Sequence, residues 1–214
     1  MKNIVITGNI GAGKSTLISK LAEILPNNLI LGEPVGENPY LNEFYEKLKF
    51  FGETNKSNAN EMSKISLTMQ LFLHYYRLTQ QFQIKDLICY DYIIQDRYLY
   101  DQLIFSQVMV KQGIISLKDF NLFRNIFDAT YNITKEIDIL IYLKVSPHIL
   151  MRRINERNRD CEKDITSDYI IELNKKYNNM FEHNLSHIKN QYTIDYDVID
   201  DDLFNNIKNI ITEN

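Results

Sequence analysis

The sequence predicts an α/β fold in three layers, a five-stranded parallel sheet with helices on both faces. Three observations point there. Short aliphatic runs bounded by turn residues alternate with longer stretches of helical periodicity, the pattern of strands that are buried on both sides and joined by helical crossovers. The first run feeds directly into a glycine-rich turn and then a helix. The length of 214 residues, 44% of them hydrophobic, suits one compact domain spanning 1–214, and no abrupt shift in composition marks a second.

In chain order, the aliphatic runs predict strands at 3–7, 29–31, 92–95, 137–143 and 192–199. The periodic stretches between and after them predict helices at 15–25, 39–51, 62–86, 98–113, 117–131, 147–157, 166–188 and 201–212. Residues 52–61 are polar and without periodicity, which reads as an exposed insertion. The aromatic stripe Phe72, Tyr75, Tyr76 reads as helix core, and no internal repeat is present.

The glycine-rich turn is Gly8-Asn9-Ile10-Gly11-Ala12-Gly13-Lys14-Ser15, followed by Thr16. Gly8 makes the turn, while Gly11 and Gly13 let backbone amides close around phosphate oxygens at a helix N-terminus. Lys14 supplies charge to the β- and γ-phosphates, and Ser15 a hydroxyl for Mg2+. With strand, loop and helix all in place, this predicts a P-loop NTPase-like fold that binds a nucleoside triphosphate with Mg2+; the loop alone does not say where phosphate goes.

Composition narrows the partners. A net charge of −4 offers no basic stripe for coating nucleic acid. The two cysteines, Cys89 and Cys161, are far apart and form neither a disulfide framework nor a zinc motif, which fits a reducing compartment. No apolar run approaches the ~20 residues of a membrane span, and the chain starts in a strand pattern instead of a targeting segment. The expectation is a soluble cytoplasmic protein acting on a small molecule, with no nucleic-acid or membrane partner.

Three further groups bear chemistry. Glu33 follows the second strand, on the side of a parallel sheet that lines the active-site crevice. There it is a candidate general base, though it also reads as a turn glutamate ahead of Pro34. Asp96 and Arg97 end the third strand, where an acid partners the nucleotide's Mg2+ and an arginine holds phosphate or fixes geometry; two charges at the end of a buried strand are costly unless employed, which favours function over a structural ion pair. Arg152, Arg153, Arg157 and Arg159 crowd one short stretch of an otherwise acidic chain. Beside a P-loop they read as a short arginine-rich lid at about 153–165 over transferring phosphates, although Glu156, Asp160 and Glu162 would balance part of the charge on a solvated face. His74, His148, His183 and His187 lack metal-ligand spacing. Met69 and Gln70 share a helix, and an amide such as Gln70 is suited to a Watson–Crick edge, yet a lone helical glutamine is usually surface.

Taken in order, these residues resemble the deoxyribonucleoside kinases of the deoxycytidine, deoxyguanosine and deoxyadenosine kinase type. The likeness runs through Gly8 to Ser15, Glu33-Pro34-Val35, Tyr45-Glu46-Lys47, Gln70 with Arg77, Asp96-Arg97-Tyr98, and Arg153 to Glu162 followed by Tyr169. The run Glu33 to Tyr40 looks particularly like bacterial members. The resemblance implies an ATP-dependent phosphotransferase that acts on the 5′-hydroxyl of a deoxynucleoside in nucleotide salvage. It implies Glu33 as base, Arg97 as its hydrogen-bond partner, and Asp96 with Ser15 on Mg2+. It further implies Tyr45 and Glu162 on the 3′-hydroxyl, Gln70 on the base with Arg77 nearby, Arg153, Arg157 and Arg159 over the phosphates, and a homodimer. Where the family has an aspartate at the base, this chain has Gln102, with Asp101 one place earlier.

Two other functions compete. A monophosphate kinase of the thymidylate kinase type shares the P-loop, lid and Asp-Arg-Tyr run, but Glu33 would repel a 5′-phosphate. A P-loop switch that hydrolyses NTP would want an Asn-Lys-x-Asp signature, and Asn55-Lys56-Ser57-Asn58 fails at its last position.

Overall fold

A computed structural model of the protein describes all residues except 35, 36, 52–57, 135, 160, 161, 164 and 214, with the side chains of 49–51 also left aside. In chain order the elements are β1 (Lys2–Gly8), α1 (Lys14–Ile24), β2 (Asn28–Leu31), α2 (Leu41–Phe51), α3 (Ala59–Ile84), β3 (Tyr92–Asp96), α4 (Leu99–Lys111), α5 (Leu117–Tyr131), β4 (Ile137–Lys144), α6 (Pro147–Arg157), α7 (Ser167–Phe181), β5 (Ile188–Asp195) and α8 (Asp201–Glu213). The chain forms two compact units, and they are described in turn.

The first unit comprises 1–32, 84–98 and 135–214 and holds the sheet. All neighbouring strands are parallel, in the order β2-β3-β1-β4-β5. The central strands are aliphatic throughout because both faces are covered: Ile4, Val5, Ile6, Ile139, Leu140 and Ile141 have no accessible surface. One face packs on α1, α6 and α8 through Leu17, Leu21, Leu150, Ile154, Ile207 and Ile211. Side chains alternate along a strand, so Tyr142 points the other way and stacks on Tyr177 and Phe181 of α7. The predicted five-stranded parallel sheet with flanking helices is therefore present.

The second unit, 33–83 and 99–134, contains α2 to α5. Its core gathers Phe44, Met62, Met69, Met109, Ile114 and Ile115. Ser63 ties α3 to the start of α5: its hydroxyl donates to Asp119 and accepts the Ser116 amide at 2.7 Å.

Four details differ from the sequence expectation. The helix expected to reach 188 ends at Phe181, and the last strand starts at Ile188 instead of 192. Leu185 and Ile188 continue the helical spacing of α7, but His187 adopts a left-handed φ of 66° that turns the chain into β5. As an edge strand with little burial, β5 lacks the aliphatic run that marks its neighbours. Residues 59–61, expected in the polar insertion, form the first turn of α3, and 52–57 lie outside the described residues. Tyr75, expected in the helix core, is 64% exposed.

Candidate active site

The phosphate loop is shaped by what surrounds its glycines. Gly11 and Gly13 have φ of 77° and 89°, a region that side chains rarely occupy. A Cβ on Gly11 would meet the Leu150 carbonyl oxygen at 2.9 Å, and one on Gly13 would meet the Tyr196 ring at 3.2 Å. The glycines thus serve both conformation and close packing. Asn9, fully buried, anchors the loop from the other side: its amide donates to the Ile170 carbonyl at 3.1 Å and to Asn174 Oδ1 at 3.3 Å. Ile10 and Ala12 complete the loop, and Gly8 ends β1.

Lys14 opens α1 with its ammonium on the carbonyls of Gly8 at 3.1 Å and Asn9 at 3.0 Å. Ser15 and Thr16 lie exposed in the first turn. The Ser15 hydroxyl donates to Asp96 Oδ2 at 3.1 Å, so a hydroxyl and a carboxylate meet at the helix start, the hard oxygen pair that suits Mg2+. Arg97, the next residue, is buried and holds a left-handed φ of 71°. Such a backbone costs about 1–3 kcal/mol and persists only where the surroundings hold it. Its amide closes the ladder onto Ile6, and its guanidinium donates to the Gly8 carbonyl at 2.9 Å and the Tyr177 hydroxyl at 2.6 Å.

In the helical unit, Glu33 and Arg77 form an ion pair at 3.4 Å, with Arg77 only 2% exposed. With the Gln102 amide oriented to satisfy both its ends, its oxygen accepts from Arg77 Nε at 2.5 Å and its nitrogen donates to the Leu99 carbonyl at 3.1 Å. Glu33, Arg77 and Gln102 are therefore one chain of contacts. Gln70 is buried with its nitrogen against the Met109 sulfur at 3.8 Å, while its oxygen has no hydrogen-bond partner among the described residues. Met69 and Tyr45 belong to the apolar cluster, where the Tyr45 ring meets Phe44 edge-on.

The sequence model of the family described as deoxynucleoside kinase matches residues 4–213. The chain belongs to this deoxynucleoside kinase family. It is 32% identical to a deoxyadenosine kinase of Dictyostelium discoideum over 82% of this chain and 64% of that one. A deoxyadenosine/deoxycytidine kinase of Bacillus subtilis is 28% identical over 99% of this chain and 92% of its own length. The chain spans 64% and 57% of two longer Dictyostelium relatives. Among solved structures, the deoxyadenosine kinase of M. mycoides with products dCMP and dCDP superposes with a TM-score of 0.81 at 29% identity, covering 100% of both chains. The same enzyme with bound dATP gives 0.81 at 30% identity over 99% of both.

Set beside the residues that the family resemblance marks, the arginine-rich stretch divides. Arg153 does not share its surroundings with the other two: it donates to the carbonyls of Tyr196 and Asp197 at 2.8 and 3.0 Å. Arg157 pairs bidentately with Glu162, and Arg159 lies 3.9 Å from the same carboxylate. Glu162, marked for the sugar, is thus also the counter-ion of both arginines. Sequence reasoning passed over Tyr177, Asn174, Tyr196 and Asp197. The first two read as one face of an amphipathic helix, and the last two lie just past the end of β5, inside the 192–199 run that the sequence assigns to the strand.

Proposed function

We propose that this protein transfers the γ-phosphate of ATP to the 5′-hydroxyl of a deoxynucleoside, yielding the monophosphate. The observation that carries this reading is Glu33, a carboxylate kept in place by the buried Arg77. A carboxylate can take the proton of a hydroxyl but would repel a monophosphate. In the proposal Glu33 is the base, and Arg97 aligns base and hydroxyl. Tyr45 and Glu162 bind the 3′-hydroxyl, and Gln70, Met69, Arg77 and Gln102 line the nucleobase. The buried oxygen of Gln70 offers an acceptor, and its amide nitrogen a donor, for the amino group and ring nitrogen that adenine and cytosine present side by side. The M. mycoides structures, with dATP and with dCMP, support the same two bases.

On the donor side, the loop amides of Gly8 to Ser15 and Thr16 and the Lys14 ammonium hold the triphosphate, with Arg157 and Arg159 as the lid over it. Mg2+ bound at Ser15 and Asp96 would neutralise charge on the β- and γ-phosphates. Protein work is then positioning and charge stabilisation, not covalent chemistry. One P-loop kinase domain, a cytoplasmic location and a homodimer complete the proposal; the family match across both units supports the first, and sedimentation tests the last. Incubation with labelled ATP and Mg2+ against four deoxynucleosides, their monophosphates and the matching ribonucleosides tests the function. Labelled deoxynucleoside monophosphate is expected; phosphorylation of monophosphates alone overturns it.

A further inference from the structure

We infer that Arg153 is a positioning residue for the phosphate donor, fastening the P-loop to the turn between β5 and α8, and that it does not act as a lid arginine on phosphate. This rests on the donor half of the proposed function and on no statement about the acceptor. Arg153 sits on α6, and one guanidinium nitrogen donates to both the Tyr196 carbonyl at 2.8 Å and the Asp197 carbonyl at 3.0 Å. The other terminal nitrogen reaches the Ala12 carbonyl of the P-loop at 3.5 Å. The guanidinium also lies over the Tyr196 ring, 5.9 Å from its centroid. That ring is the surface against which Gly13 packs.

The turn is fastened a second time. Asp197 accepts the Ser146 amide at 2.6 Å and the Ser146 hydroxyl, at the start of the helix that bears Arg153. Burial works against the Asp197 carboxylate, but the Ser146 hydrogen bonds, with His148 and Arg153, outweigh it and hold the group below the usual range. Burial likewise lowers Arg153 from the ordinary arginine value. The result is a closed ring of contacts: Ala12 and Gly13, Arg153 and Tyr196, Asp197, Ser146, and back along α6.

The peptide plane explains what this does for a nucleotide. In a trans peptide the C=O and the following N–H point opposite ways, so holding the Ala12 carbonyl fixes the direction of the Gly13 N–H. Loop amides aimed in advance lose no ordering entropy when phosphate arrives. A planar fork with several fixed donors can serve three carbonyls at once, whereas a lysine ammonium with the same charge cannot reproduce that geometry.

The test compares wild type with R153K and R153A by amide hydrogen exchange without nucleotide, and by ATP and ADP binding calorimetry. Expected is faster exchange at Ala12 and Tyr196 in both variants, with β1 and β4 unchanged. Affinity for ATP and ADP should fall by one common factor, about tenfold, the size of one lost charge-assisted hydrogen bond. Unchanged exchange at those amides, restoration of ATP affinity by R153K, or a loss confined to ATP would each overturn the inference. If R153A does not fold, R153K decides by the same measurements. Absence of deoxynucleoside phosphorylation by wild type would overturn the kinase reading instead and leave these binding outcomes standing.

Discussion

Replacing His74 by glutamine should remove a specific part of the protein's acid sensitivity. His74 lies in α3, 2% exposed, with Phe123 and Phe127 against its ring. Its Nε2 is 2.7 Å from the Thr130 hydroxyl oxygen. That hydroxyl spends its own proton on the Ile126 carbonyl, so Nε2 must be the donor and Nδ1 is the bare nitrogen. Nδ1 is buried without a hydrogen-bond partner among the described residues, and a proton there would be a charge among rings. Burial accordingly lowers the pKa from 6.5 to about 4. The unfolded chain takes up the proton near 6.5 and the folded one only near 4. Stability from this group is therefore complete above 6.5, falls as pH drops through that window, and levels off below 4. The drop from 6.5 to about 4, at 1.36 kcal/mol for each step of one in pH, amounts to roughly 3 kcal/mol. Urea unfolding of wild type and H74Q at a series of pH values between 8 and 3.5 isolates the term, because other titrating groups cancel in the difference. The glutamine retains a donor for Thr130 and does not titrate. Parallel stability curves for the two proteins would refute the reasoning.

Four further outcomes follow from the sites. Glu33→Gln should lower kcat by at least a hundredfold, the general-base contribution, with ATP affinity retained in calorimetry; near-normal turnover removes the base assignment. Tyr45→Phe should raise the deoxynucleoside KM while leaving the ATP KM alone, and an unchanged value takes Tyr45 out of the sugar site. Asp96→Asn should raise the Mg2+ concentration needed for half-maximal activity, measured at fixed ATP. Ser63→Ala should cost about 1–3 kcal/mol in urea unfolding, because the Ser116 amide and the Asp119 carboxylate both lose their shared partner.

Legibility in the sequence followed burial and backbone demand. The central strands announced themselves because a strand covered on both faces has to be aliphatic, as Ile4 to Ile6 and Ile139 to Ile141 are. The P-loop was legible because no other residues accept the φ values and close contacts of Gly11 and Gly13. The edge strand β5 was not, since its residues face partly to water and its start is set by one left-handed residue, His187. Arg153 was identified as an arginine near phosphates, but its partners are backbone carbonyls of Ala12, Tyr196 and Asp197. Carbonyls are the same in every residue, so no sequence pattern announces them. Two compact units were equally invisible, because both are built from the same mixture of apolar and charged residues and the chain passes between them without a linker of distinct composition.

The strand order also governs how the protein is made. β1 lies between β3 and β4 in the sheet, so neither of its neighbours exists when it leaves the ribosome. Its first ladder forms with Tyr92 to Asp96. At about 5–20 residues per second, that is a wait of roughly 4–18 s. Throughout it Ile4, Val5 and Ile6 have no sheet to enter, and the phosphate loop behind them has no floor. A chaperone that covers a short aliphatic strand during this interval should raise the yield of folded protein more than one acting after release.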